Sequence, residues 1–216
     1  MQSTQNIYQK HHTEERDESY SVLKYERGKL LKERIETGKN VLDLGCRNGV
    51  LTSFFIEGND VTGADIDEIS LKKARELGIK TVHIDLNGDW QELSGQTFDV
   101  VVLAETLEHL YYPERVIEKV KSVIKPRGMF IGSVPNAFSF KNRIRLLFGH
   151  KEHTSLHDPT HINHFLYKEL EVMLKKHFEN VEIIPLGTYA SWDRFWKGMF
   201  SFDLLFVCTD KIETEK

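Results

Sequence analysis

Short unbroken apolar runs alternate along this chain with stretches whose apolar residues recur at helical spacing. The runs at 41–44, 61–65, 81–86, 98–103, 129–134, 181–184 and 204–207 predict seven strands. Most are apolar throughout rather than alternating, as strands buried on both faces of a parallel sheet must be. Helices are predicted over 21–36 (Val22, Leu23, Leu30, Leu31, Ile35, then Gly38) and, after Gly49, over a short stretch with Leu51, Phe54 and Phe55 that stops at Gly58. Others cover 70–77, the segment from Pro113 with Val116, Ile117, Val120, Val123 and Ile124 on one face, and 167–178 with Leu170, Met173, Leu174 and Phe178 inward. Strands alternating with helices predict an α/β fold.

The pattern also divides the chain. Residues 1–37 read as a polar arm followed by a capping helix able to close over a ligand, and residues 38–216 as one domain. Within that domain, 137–165 has the weakest periodicity and holds five of the ten histidines: His150, His153, His157, His161 and His164. A loop of that length in a compact domain has a functional reason or no fixed structure. The aromatic run Tyr189, Trp192, Phe195, Trp196 and Phe200 reads as a lid on an apolar substrate, a dimer surface or core.

Residues 40–49, Asn-Val-Leu-Asp-Leu-Gly-Cys-Arg-Asn-Gly, carry the most chemistry. A buried strand turns at Gly45 and Gly49 toward a helix, the layout with which open α/β sheets hold nucleotide-like ligands. Asp43 sits inside that turn. A carboxylate there repels a pyrophosphate, which needs backbone N–H groups and a helix N-terminus, and attracts an ammonium or sulfonium. The glycines also miss the G-x-G-x-x-G spacing. The loop therefore points to S-adenosylmethionine (SAM) and away from NAD. Asp65 ends the second strand 20 positions after Gly45, placed to accept hydrogen bonds from a ribose. Asp85 ends the third and suits an adenine amino group.

Composition narrows the class. Charged residues are 29% and hydrophobic ones 40%, ordinary for a globular protein, and a formal charge of −4 argues against strong nonspecific nucleic-acid binding. Cys46 and Cys208 have no metal-ligand spacing and read as reduced core residues. The polar N-terminus carries no signal-peptide pattern, and no apolar run reaches the roughly 20 residues of a membrane span. A cytoplasmic protein is expected.

VLDLGCRNG (41–49), VTGADID (61–67), HIDLN (83–87), FDVVVLAETLEHL (98–110) and IKPRGMFIGSVPN (124–136) together resemble the class I SAM-dependent methyltransferases, from about residue 38 to 208. The resemblance implies a three-layer Rossmann-like fold with a seven-stranded, mostly parallel sheet whose last strand is antiparallel. It implies that Asp43, Gly45, Cys46 and Gly49 frame the methionine part, Asp65 and Ile66 the ribose, Asp85 and Leu86 the adenine, and Ala104 and Glu105 the adjoining wall. Arg47 departs from the pattern, standing where the family usually has glycine. The turn Pro135-Asn136, then Lys141-Asn142-Arg143 with Leu146-Leu147, then His161 two before Asn163 and four before Phe165, resembles MetW-like proteins and methyltransferases of bacterial surface polysaccharides. These resemblances make a sugar, a lipid-linked intermediate or a quinone-like phenol the expected methyl acceptor.

The candidate catalytic residues are Glu108, His109, His161 and His164, since an acceptor hydroxyl needs a general base and histidine suits that task. On a helical turn Glu105, Glu108 and His109 share one face. With His161 they form a candidate set for Mg²⁺, Mn²⁺ or Zn²⁺, an arrangement similar to ubiquinone-pathway O-methyltransferases and small-RNA 2′-O-methyltransferases. Metal-free acid/base or positional use of the same residues is the competing reading. Two other functions stay open: an RNA methyltransferase using Lys141, Arg143, Arg145 and Lys151, and a non-catalytic SAM-binding partner of another enzyme. A homodimer through the aromatic run is a further expectation.

Overall fold

The computed structural model describes residues 23–152 and 154–212; the predicted arm and His153 lie outside them. Seven strands form one sheet in the order β3-β2-β1-β4-β5-β7-β6: β1 Asn40–Leu44, β2 Asp60–Asp65, β3 Lys80–His83, β4 Phe98–Ala104, β5 Ile124–Pro135, β6 Phe178–Leu186 and β7 Asp203–Lys211. Pairs from β3 through β5 are parallel, and β7 runs antiparallel to both β5 and β6. This is the predicted sheet. β3 ends earlier than its apolar pattern, at His83, so Asp85 and Leu86 stand on the connection beyond it.

The apolar runs bury both faces of the sheet. Leu42, Leu44, Val101, Leu103 and Phe130 join one core layer, and Val41, Val100, Val102 and Ile131 the other. Helices α1 Lys24–Ile35, α2 Glu68–Glu76, α3 Pro113–Val123 and α5 Tyr167–Lys175 match predicted segments, except that Ile124 and Phe178, expected on the last two, open β5 and β6 instead. Asp67 caps α2 by accepting from the Ile69 N–H, and Pro113 starts α3 where its missing N–H costs nothing. No helix of the described residues is long and apolar enough to cross a membrane.

Three expectations change. The stretch after Gly49 forms only a short 3-10 turn, Thr52–Phe54, so the loop is not followed by an α-helix. Its Phe54 ring packs so tightly on α1 that a Cβ at Gly28 would meet it at 2.5 Å. Within the histidine-rich loop an additional helix, α4 Phe140–Leu147, forms with no residue buried. Tyr189, Trp192, Phe195 and Trp196 are exposed, which removes the core reading of the aromatic run.

Candidate functional site

A cavity of about 330 Å³ lies at the carboxyl ends of β1, β2 and β4. Strand order reverses between β1 and β4, and open α/β sheets bind ligands at such a switch point. One wall comes from the turns after β1, β2 and β3, the other from residues 104–110 and 154–161.

On the first wall, Gly45 takes φ +76°, donates its N–H to the Ala64 carbonyl at 2.7 Å, and has no room for a side chain, since a Cβ would fall 2.3 Å from Thr106 Oγ1. Asp43 lies buried beneath the turn, accepting from Thr52 Oγ1 at 2.6 Å. Burial pushes its carboxyl up to about 7, so Asp43 is not a fixed anion but a group that titrates near neutrality. Asp65 accepts from the Asp67 and Arg47 N–H groups, each at 2.9 Å; burial raises it and these bonds oppose the rise. Arg47 holds a left-handed backbone, φ +49°, where glycine is favoured, and its charge bears on Asp65. Cys46, Ile66, Asp85, Leu86 and Ala104 line the cavity. Asp85 Oδ1 also accepts from the Asn87 N–H at 2.9 Å, as a strand-end turn residue does. Gly49 does not line it. A Cβ there would meet Ile79 at 2.4 Å, so its role is to let the loop pack on the core.

On the second wall the helical-turn expectation fails. Glu105 is left-handed (φ +51°), and only Leu107–His109 form a 3-10 turn. Glu105 accepts from Ser133 Oγ at 3.0 Å and pairs with Arg27 at 3.3 Å. It is absent from the cluster of possible metal ligands, which holds Glu108, His109 and His161 with ligand atoms within 4.8 Å of one another. Arg27, from α1, is 1% exposed and also pairs with the fully buried Asp203 at the start of β7. Two carboxylates thus share one guanidinium, and burial pushes Glu105 up to about 8 despite Arg27.

Glu108 is buried, and among the described residues neither carboxylate oxygen has a hydrogen-bond partner. Burial, then the Glu105 charge, push it well above the usual carboxylate range. His109 Nδ1 lies 2.9 Å from the Thr160 carbonyl, and His161 Nδ1 lies 2.9 Å from the Ser155 carbonyl. A carbonyl oxygen only accepts, so in the neutral rings each Nδ1 carries the proton and each Nε2 offers a lone pair. Those Nε2 atoms stand 3.8 and 3.9 Å from Glu108 Oε1, with the rings 4.8 Å apart. Both the Ile162 and Asn163 N–H groups donate to the Glu108 carbonyl at 2.9 Å, docking the loop on this turn. His164 stands apart from the cavity, and burial lowers its pKa. His150 and His157 are exposed.

A model of the methyltransferase domain matches residues 14–183 of the chain. The chain belongs to the class I SAM-dependent methyltransferases. Among curated proteins, ubiquinone biosynthesis O-methyltransferases from Photobacterium profundum and Vibrio atlanticus are similar. The first is 39% identical over 46% of this chain and 45% of its own length, the second 37% over 52% and 49%. The chain spans about half the length of these relatives. Among solved structures, a SAM-dependent methyltransferase from Archaeoglobus fulgidus shares the fold (TM-score 0.64, 19% identity, 94% of this chain and 99% of that one). So does an N-methyltransferase from Bradyrhizobium japonicum in complex with S-adenosylhomocysteine (0.60, 18%, 87% and 87%).

Two residues of this methyltransferase's cavity were not singled out as site residues from the sequence. Arg27 carried a signal: it precedes Leu31 and Ile35 by four and eight positions, a cation in line with a buried stripe. Asn136, the last residue of the motif 124–136, is buried in the cavity lining. It donates to the Gly198 and Ser201 carbonyls while its Oδ1 lacks a hydrogen-bond partner among the described residues.

Proposed function

We propose that the chain moves a methyl group from SAM to a hydroxyl oxygen of a small molecule. The observation that carries this reading is the convergence of two imidazole Nε2 atoms on a buried carboxylate that has no hydrogen-bond partner among the described residues. The cofactor supplies an electrophilic methyl on a sulfonium. Asp65 accepts from the ribose hydroxyls, Asp85 and Leu86 border the adenine, and the turn at Gly45 and Cys46 takes the methionine part. Asp43, once ionised, favours the positive end. The buried Arg27 Nε, without a hydrogen-bond partner among the described residues, suits the methionine carboxylate. Residues 24–35 then act as the cap of the site, and 38–216 as the catalytic domain with 137–165 as its acceptor-side insertion.

His161 or His109 takes the hydroxyl proton at Nε2 as the oxygen–methyl bond forms, and Glu108, once ionised, stabilises the resulting imidazolium. Because methyl transfer needs little activation, most of the gain comes from alignment and exclusion of water. Thr154, Ser155, Asp158 and Thr160 line this wall and suit an acceptor with several hydroxyls, such as a sugar or a phenol. The names of the relatives support the phenol. Incubation with radiolabelled SAM and fractionated extract tests the reading: label is expected in small molecules or lipids. Label in RNA would instead support the RNA substrate, and a stoichiometric protein partner with no label anywhere would support a regulatory role.

A divalent cation is a second reading with its own support. Three ligand atoms converge, and each histidine is oriented by a carbonyl on its other nitrogen, as metal-binding histidines are. Two imidazoles and one carboxylate favour Zn²⁺ or Mn²⁺ over Mg²⁺. The ion would sit among Glu108, His109 and His161 and act as a Lewis acid on the acceptor oxygen. Calorimetric titration with Mn²⁺ should then show one site that Glu108→Gln abolishes. Absence of binding, with a rate unchanged by EDTA, removes the cation.

A further inference from the structure

The histidine-rich insertion and the aromatic run meet in one exposed face. On α4, Phe140, Ile144, Leu147 and Phe148 follow the i, i+4, i+7, i+8 spacing of a single stripe, yet the helix buries no residue. Phe140 is 50% exposed, Leu147 76% and Phe148 70%. Phe140 donates its N–H to the Met199 carbonyl at 2.6 Å, and its ring lies 6.2 Å from that of Phe200, which lies 5.9 Å from Trp192. Trp192, Phe195 and Trp196 continue the surface at 58%, 74% and 64% exposed.

This exposure is built in. Asp193, buried, accepts from the backbone N–H groups of Gly198, Phe200 and Ser201, and Asn136 holds the Gly198 and Ser201 carbonyls from below. Apolar side chains are therefore held outward by a hydrogen-bonded polar scaffold, at the energetic cost of leaving them in water.

The charge of this face is the reverse of the chain's. Residues 138–151 contain Lys141, Arg143, Arg145 and Lys151 and no acid, and residues 187–202 contain Arg194, Lys197 and the buried Asp193. The chain as a whole has a formal charge of −4. A second copy docked through this patch by a two-fold axis would bring these cations onto one another. An anionic lipid surface complements both properties: aromatic and aliphatic side chains enter the interfacial layer while the cations meet phosphate groups.

We propose that this face, α4 together with residues 189–202, docks the chain on an anionic membrane surface. Asn142 of α4 and Phe202 line the cavity, so docking brings the acceptor wall to the lipid boundary. That deepens the acceptor assignment toward a lipid-borne hydroxyl, a clause that rests on the methyl-transfer reading; the docking does not.

The test is co-sedimentation of the full chain with vesicles of phosphatidylglycerol and phosphatidylcholine, against vesicles of phosphatidylcholine alone. Binding to the anionic vesicles is expected, with a blue shift of tryptophan emission from Trp192 and Trp196. Salt should weaken it, and each of Lys141→Glu and Arg145→Glu should weaken it by roughly fivefold or more. Leu147→Ser with Phe148→Ser, at exposed positions that leave the core intact, should release the chain from vesicles. S-adenosylhomocysteine affinity should stay unchanged in all these variants. No binding to anionic vesicles, or binding indifferent to these substitutions, overturns the proposal. So does a concentration-dependent dimer in sedimentation that the Leu147 and Phe148 variant abolishes. Vesicle binding with no cofactor binding would instead sink the methyl-transfer reading and leave the docking face standing.

Discussion

The wall proposed to take the cofactor is held by short-range bonds. Asp65 accepts from the N–H two positions on and from the Arg47 N–H 18 positions back, and Asp85 from the N–H two positions on. The wall that faces the acceptor is held across the chain: His109 meets Thr160 over 51 positions, Asn163 reaches Leu110 over 53, and Arg27 reaches Asp203 over 176. The first wall is part of the parallel sheet and forms with it. The second exists only when three distant segments dock.

That difference can be broken experimentally. The largest effect is expected from His161→Ala, which removes one of the two proposed acceptor-side bases and leaves the loops after β1 and β2 untouched. The single-turnover rate should fall by about 10²–10⁴-fold with S-adenosylhomocysteine affinity within about twofold of wild type. Equal losses in both would mean the walls are not separable.

Arg27→Met addresses the longest link. It leaves two buried carboxylates without their cation, and breaking such a pair costs about 3–5 kcal/mol, readable as a lower urea midpoint. Glu105→Gln should cost less, because Arg27 keeps Asp203. If Arg27→Met is neutral in stability, the cap is not tied to the sheet by charge.

The smallest effect is a pH dependence of the cavity. Burial raises Asp43 from 3.8 to about 7 and Glu105 from 4.5 to about 8. A carboxyl raised in this way favours the folded state while protonated, so its contribution is present below about pH 4 and lost as pH climbs through 7 to 8. A sulfonium favours the ionised form of Asp43. SAM affinity should therefore rise between pH 6 and 8 with proton release, and more steeply than that of the uncharged-sulfur homocysteine product. Calorimetry in buffers of different ionisation enthalpy reads the proton; a flat profile would mean that Asp43 does not meet the positive end.

How far the sequence went follows the same division. Apolar runs marked all seven strands, because strands buried on both faces need them. The acids Asp43, Asp65 and Asp85 stood out because each lies at or next to the carboxyl end of a strand, where the sheet places its ligand. Glu105 misled: the spacing to Glu108 reads as a helical face, but a left-handed residue at the end of β4 turns its carboxylate to Arg27. Neither the Arg27–Asp203 pair nor the contacts of residues 154–161 has a local signature. Helix α4 did carry one, in the spacing of Phe140, Ile144 and Leu147, but it buries nothing and so lies outside a reading tuned to core faces.

Equilibrium titration of wild type and Asp65→Ala with S-adenosylhomocysteine and with NAD bears on everything argued for the cavity. The expected result is saturable S-adenosylhomocysteine binding, weakened by about 10–100-fold in Asp65→Ala through lost hydrogen bonds to a charged group, and no uptake of NAD by either protein. Tight NAD binding, or S-adenosylhomocysteine binding indifferent to Asp65, would contradict it.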